Sequence, residues 1–342
     1  MTHLNDGNTE GAVPRRLARR ELMALAISAL GAVASAKAPV PARVLLADVP
    51  VEARIEVPEG PGWLGIGYGS VWISKSKSQA VIRIDPSTNK VIATIPVGPD
   101  AELGVTAARG SIWIPDVKAH SLTQIDPARN AVVRTIPLDV SDDPEGSIAV
   151  TDDSVWFVSD RRATDAGTLV RIALATGRTS AEIRIPARSH AVEAAFGAIW
   201  VTSSGSAVVV RVDPATNAVV AHIPVQAKPR FLIGGFGSLW VLSQSNGSLA
   251  RIDPKTNRVV ATLALNVPGP GGDLAIDDTR VWVSAEGTPI SLVDPNTNKV
   301  TIQVVGGHEL DTLRAAFGSV WLLDEHHGVL RINPERIPRP GG

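Results

Sequence analysis

Tryptophan recurs in this chain with the regularity of a structural repeat. Trp72, Trp113, Trp156, Trp200, Trp240, Trp282 and Trp321 are separated by 41, 43, 44, 40, 42 and 39 residues. Each sits in a short run such as "GSVWIS" at Gly69, "GAIWVT" at Gly197 or "GSLWVL" at Gly237. Glycine there supplies a tight turn, and the β-branched and aromatic residues after it favour a strand. A unit of about 40 residues built from short strands cannot bury its apolar faces alone, whereas copies stacked around an axis can. The spacing therefore predicts an all-β fold, a seven-bladed β-propeller of four-stranded antiparallel blades. With eight tryptophans against one tyrosine, the indoles read as wedges between neighbouring blades.

A second motif travels with the first. "RIDPSTNKVIATIPVG" at Arg83 returns as "RVDPATNAVVAHIPV" at Arg211, "RIDPKTNRVVATLAL" at Arg251 and "LVDPNTNKVTIQVVG" at Leu292. Around Trp200, "HAVEAAF" reads as an inner strand, "AIWVTS" as the second, "AVVVRVD" as the third and "AVVAHIPV" as the outer one. The motif thus joins the two outer strands. Its acid caps the turn, proline presets φ, and the asparagine stands where a left-handed backbone is needed. Asp85, Asp126, Asp213, Asp253, Asp294 and Asn333 keep this turn, while the third unit substitutes "ALATGR", with Gly177 in the left-handed position. The last unit has no outer strand of its own. The orphan segment "ARIEVPE", Ala53 to Glu59, is expected to pair with its third strand, closing the ring and removing two open edges.

Of the 342 residues, 44% are hydrophobic and 20% charged, the balance of a globular chain. The absence of cysteine excludes disulfides, thiolate zinc sites and cysteine nucleophiles. A net charge of −1 argues against a nucleic-acid partner held by phosphate contacts. At the N-terminus, Arg15, Arg16, Arg19 and Arg20 precede a mildly apolar run from Leu22 to Ala36 that ends in small residues. This is the layout of a secretory signal, and Arg19-Arg20-Glu21-Leu22-Met23 resembles a twin-arginine export signal. The expected organisation is a signal peptide over 1–36, a linker over 37–52 and one propeller domain over 53–342. The expected location is the bacterial periplasm or the medium outside the cell.

Two positions in each unit are expected on one rim around the axis. Ten residues before each tryptophan, at the inner-strand entrance, stand Gly62, Leu103, Gly146, His190, Arg230, Gly272 and Asp311. Three residues after it stand Lys75, Asp116, Ser159, Ser203, Ser243, Ala285 and Asp324. These vary where the tryptophans do not, which points to a rim adapted to a ligand. His190, Arg230, Asp311, Asp324, Lys75 and Asp116 are the candidate ligand-binding residues. In the last unit "GGHELDTLRAAF" and "DEHHG" bring His308, Glu309, Asp311, Asp324, Glu325, His326 and His327 towards one rim. There His308 and His326 are weak candidates for a divalent cation. No Walker loop, HExxH or G-x-S-x-G occurs beyond the leader.

The unit "GSVWIS…VIRIDPSTNKVIATIPVG" resembles the repeat of YVTN-type bacterial β-propellers and is similar to the propeller of the streptogramin B (virginiamycin B) lyases, over residues 53 to 335. The lyase resemblance implies catalytic histidines on inner strands of two neighbouring blades, a glutamate on the following strand, Mg²⁺, and elimination that opens a lactone. His190 matches one histidine position and is the one candidate base. Its ring neighbours are Gly146 and Arg230, and the following-strand position is Ser203, so the companion histidine and the acid are missing. The leading expectation is therefore a non-catalytic exported propeller, needing no cofactor, that binds a small molecule, peptide or protein on its rim. A lyase or hydrolase acting through His190 and rim carboxylates is the competing one.

Overall fold

The computed structural model describes residues 41–57, 60–75, 79–98, 104–116, 118–137, 148–159, 166–307, 309–310 and 312–339. The expected signal peptide lies outside these residues. Seven antiparallel sheets form a closed ring, their inner strands beginning at Pro61, Thr106, Ile148, Ser189, Pro229, Asp273 and Leu313. In the fourth blade the strands run Ser189–Ala195, Ala198–Ser203, Val208–Asp213 and Ala218–Pro224 from axis to rim. The second strands are buried almost throughout, and the outer ones alternate buried with exposed residues. That is the pattern of a sheet covered by neighbours at its centre and wetted at its edge.

The seven repeating indoles are 0–1% exposed. Each belongs to an apolar cluster shared with the next blade. Trp72 packs with Ile112 and Ile125 of the second blade, and Trp321 packs with Leu64 and Ile84 of the first, which closes the circle. Burying a side chain of this size is among the largest single contributions a core position makes.

The repeated hairpin does more than turn the chain. Asn89, Asn130, Asn217, Asn257 and Asn298 all have φ between 52° and 57°, as expected. Their side chains then receive an arginine from the preceding blade. Arg211 Nη1 donates to the Pro254 carbonyl and to Asn257 Oδ1, both at 2.9 Å, while its guanidinium lies 5.1 Å from the Trp200 ring centroid. Arg83, Arg171, Arg251 and Arg331 make the same reach over their own indoles. Arg331 crosses from the last blade to Asn89 of the first (2.9 Å).

Where the motif changes, its partner changes with it. Gly177 has no side chain to accept, and the second blade carries Gln124 in place of the arginine. Arg134 takes over, donating to Gln124 Oε1 (2.8 Å) and to the Leu174 carbonyl (2.7 Å). The sixth blade carries Leu292 at that position, and Arg280 instead covers Trp282 and pairs with Glu335 at 2.6 Å.

Closure is richer than the sequence suggests. Val51–Glu56, starting two residues before the expected Ala53, pairs antiparallel with Gly328–Ile332; Pro58 and Glu59 lie outside the described residues. The segment expected to be a linker is partly ordered. Ala42–Leu45 runs parallel to Lys299–Val305, giving the sixth blade a fifth strand, and Leu46–Asp48 forms a 3-10 turn. Val44 and Val49 are buried by this run, which burial alone favours. The turns between the first two strands also differ from expectation. Phe196 (φ 53°) and Gly197 (φ 71°) are both left-handed, as are Tyr68, Phe236 and Phe317 with the glycine after each. The twist of a two-residue hairpin demands positive φ at both central positions.

Candidate functional site, an axial cavity

The inner strands are spaced by small residues that let seven chains meet near one axis. At Gly234 an added Cβ would lie 2.6 Å from the Ala195 Cβ of the adjacent blade, so only glycine fits. The channel is not filled, however. A cavity of about 370 Å³, lined from the inner strands of all seven blades, opens along the axis. Its volume falls in the range of small-molecule sites.

Five side chains give the cavity its character. Trp63, the one tryptophan outside the repeat, reaches from the first blade across the channel to Phe231 of the fifth. Their ring centroids are 6.4 Å apart with an interplanar angle of 22°. Glu193, Asp273 and Arg314 are the ionisable groups in the lining. The Asp273 carboxylate is ion-paired with Arg314 Nη1 and accepts the Leu274 amide at 2.8 Å. Arg314 also donates to the Leu313 carbonyl at 2.6 Å. Among the described residues Glu193 accepts one hydrogen bond, from the Gly234 amide at 3.2 Å.

Burial dominates the electrostatics. Desolvation lifts the Glu193 carboxyl to about 7, opposed by the Gly234 amide and the Arg314 charge. It lifts Asp273 to about 6 against the same arginine. Unfolded, these groups release their protons near 4.5 and 3.8. Between those values and the folded ones the native state holds more protons, so stability falls as pH rises. The loss is complete above about pH 7. Asp85, Asp213, Asp253 and Asp294 are held below the usual range, first by hydrogen bonds within their own turns, and so weaken the fold only below about pH 4. Denaturation midpoints measured from pH 4.5 to 8 should therefore decline, with a shallower decline in Glu193→Gln. A midpoint that climbs across this range would contradict the assignment.

Of the described residues expected from sequence, His190, Arg230, Lys75, Asp116 and Asp324 do not belong to the lining of this cavity. His190 and Arg230 do meet at neighbouring inner-strand entrances. Arg230 Nη1 donates to His190 Nδ1 at 3.1 Å, and His190 Nε2 lies 2.7 Å from Ser204 Oγ. The Ser204 hydroxyl also donates to the Arg188 carbonyl at 3.3 Å.

Lys75, Asp116 and Asp324 end the second strands of their blades. This position ties the blade to its own loops. Asp116 Oδ1 accepts the Ala119 amide at 2.7 Å, Asp324 Oδ1 accepts the His326 and His327 amides, and Ser203 donates to the Ala187 carbonyl. His326 pairs with Glu309, and His327 Nδ1 with Asp324 at 3.0 Å. Asp311 and His308 lie outside the described residues. Among the described residues no group of three or more metal-ligating acids or histidines forms.

Sequence reasoning passed over the five cavity residues because it compared strand entrances. Seven residues before each tryptophan, directly paired with it across the sheet, stand Gly65, Thr106, Ala149, Glu193, Ile233, Ala275 and Arg314. Two charges in a register otherwise filled mainly by small or apolar residues were the available signal.

No family model matches the chain, and no curated protein matches it in sequence. Solved structures do match in shape. A streptogramin B lyase superposes with a TM-score of 0.67 at 18% identity, over 82% of this chain and 97% of that one. The hydrazine synthase of Kuenenia stuttgartiensis superposes with a TM-score of 0.62 at 14% identity, over 82% and 98%. The protein is a seven-bladed β-propeller. At these identities the likeness is one of fold.

Proposed function

We propose that this protein is an exported binding module whose axial cavity holds a small molecule and releases it unchanged. One observation carries the reading: half-buried Trp63 reaches from the first blade to stack against Phe231 of the fifth, which puts aromatic surface in the lining of the channel. Aromatic walls beside a few convergent polar groups are what a ligand pocket needs for burial and orientation. The His190–Arg230 pair at the strand entrances would form its mouth, and a peptide or protein partner would have to engage that same rim.

A small-molecule thermal-shift screen tests the proposal, followed by titration of any hit against Trp63→Ala and Phe231→Ala. Either truncation should weaken binding about tenfold or more, the scale of one lost aromatic contact in a desolvated site. A hit that binds both variants as tightly as the parent would show that the cavity is not the site.

The competing reading is an enzyme of the lyase or hydrolase type, and Glu193 favours it. A carboxyl held near 7 inside a cavity suits proton transfer at neutral pH. Mg²⁺ would enter on that reading alone. Recovery of the bound hit chemically altered would decide for it.

A further inference from the structure

Resting on the reading that the axial cavity is a ligand site, we infer that its ligand is an organic cation, an ammonium group on a compact apolar body, seated between Glu193 and the faces of Trp63 and Phe231. The argument is one of charge balance. The cavity lining carries two carboxylates and one guanidinium. Asp273 and Arg314 neutralise each other, and Arg314 is further engaged by the Leu313 carbonyl. Among the described residues Glu193 is left with one backbone amide for its two oxygens. An anion would have to displace Asp273 from Arg314 and sit beside Glu193. A cation would instead complete Glu193 and meet the electron-rich faces of two aromatic rings, the arrangement that recognises ammonium groups.

The pH dependence follows from the same geometry. Burial holds Glu193 protonated below about 7, so a cation must drive its proton off. Arg314 acts on Glu193 by charge and Asp273 shares its lining, while His190 lies on its own strand and Arg230 on the next. The remaining strands packed against it, Ile148–Val150, Ser154–Ser159 and Ala198–Ser203, bring no titratable side chain. A quaternary ammonium does not titrate, so any change in its affinity between pH 5 and 7 reports the protein.

The experiment uses the folded protein and three shape-matched probes: choline, its uncharged analogue 3,3-dimethylbutan-1-ol, and the anion 3,3-dimethylbutanoate. Binding is read by calorimetry and by Trp63 fluorescence, as the difference between the parent and Trp63→Phe. Choline should bind more tightly than both analogues, by about tenfold or more. Its affinity should rise towards pH 7, by up to about tenfold per pH unit, and level off above it. Glu193→Gln should remove both the preference and the slope, while Glu193→Asp should retain part of the preference. Tighter binding of the alcohol or the acid, abolished by Trp63→Ala, would overturn the cation assignment and leave the cavity a ligand site. If no probe of any charge binds in the cavity, the cation assignment is overturned. Should a broader screen then also yield only hits indifferent to Trp63→Ala, the ligand-site reading fails as well.

Discussion

A chain beginning at Val57 is expected to lose its cooperative fold or to melt roughly 10 °C or more below the full chain, and to aggregate on the way. The truncation removes the outer strand of the last blade and leaves Gly328–Ile332 as an open edge that other chains can pair with. Ile55 goes with it, 6% exposed and packed in the cluster that buries Trp321, Leu323 and Ile73. Removing one buried aliphatic side chain alone costs about 2–5 kcal/mol. Gly328 marks how closely the clasp fits, since an added Cβ there would stand 2.2 Å from the Ile55 carbonyl oxygen. A chain beginning at Val51 keeps the clasp and loses the parallel strand on the sixth blade with the turn after it and the buried Val44 and Val49, so its melting temperature should fall less. Scanning calorimetry with light scattering on the two truncations checks the order. Equal melting temperatures for the full chain and the Val57 truncation would refute ring closure by this strand.

Replacing one wedge should also be severe. In Trp240→Ala an indole with no exposed surface is lost from the interface of the fifth and sixth blades, along with its bond to the Gly235 carbonyl at 3.1 Å and the platform beneath Arg251. The expected loss is about 3–5 kcal/mol in denaturant unfolding. Arg251→Ala should cost less, about 1–3 kcal/mol, because it frees the Pro295 carbonyl and Asn298 Oδ1. The two changes should not add, since the guanidinium lies 4.9 Å from the ring centroid and is positioned by it. Additivity within a few tenths of a kcal/mol would mean that indole and arginine act independently.

Blade number, strand order and the clasp were legible in the sequence because each is a local pattern repeated at one spacing. A glycine, a tryptophan and an aspartate-proline turn specify a hairpin wherever they fall, and seven copies specify seven sheets. Even the exceptions could be read locally, as Gly177 for the missing asparagine shows. The arginine latch was present in every copy of "R-I-D-P" and yet invisible, because its acceptor lies one whole repeat further along. His190 and Arg230 meet because the register of adjacent blades puts strand entrances side by side, a relation the repeat spacing expresses. The Ser204 hydroxyl that contacts the imidazole, and the Arg188 carbonyl it donates to, come from loops, whose course no period describes.

What the chain settled by itself, then, is the scaffold, through interactions between residues close in sequence or one repeat apart. The contents of the channel were decided only in three dimensions. Trp63 meets Phe231, and Glu193 senses Arg314, because seven blades turn their inner strands to a common axis and bring together side chains from distant repeats. Desolvation at that axis, which no stretch of sequence expresses, is what gives an ordinary glutamate a proton affinity near neutrality.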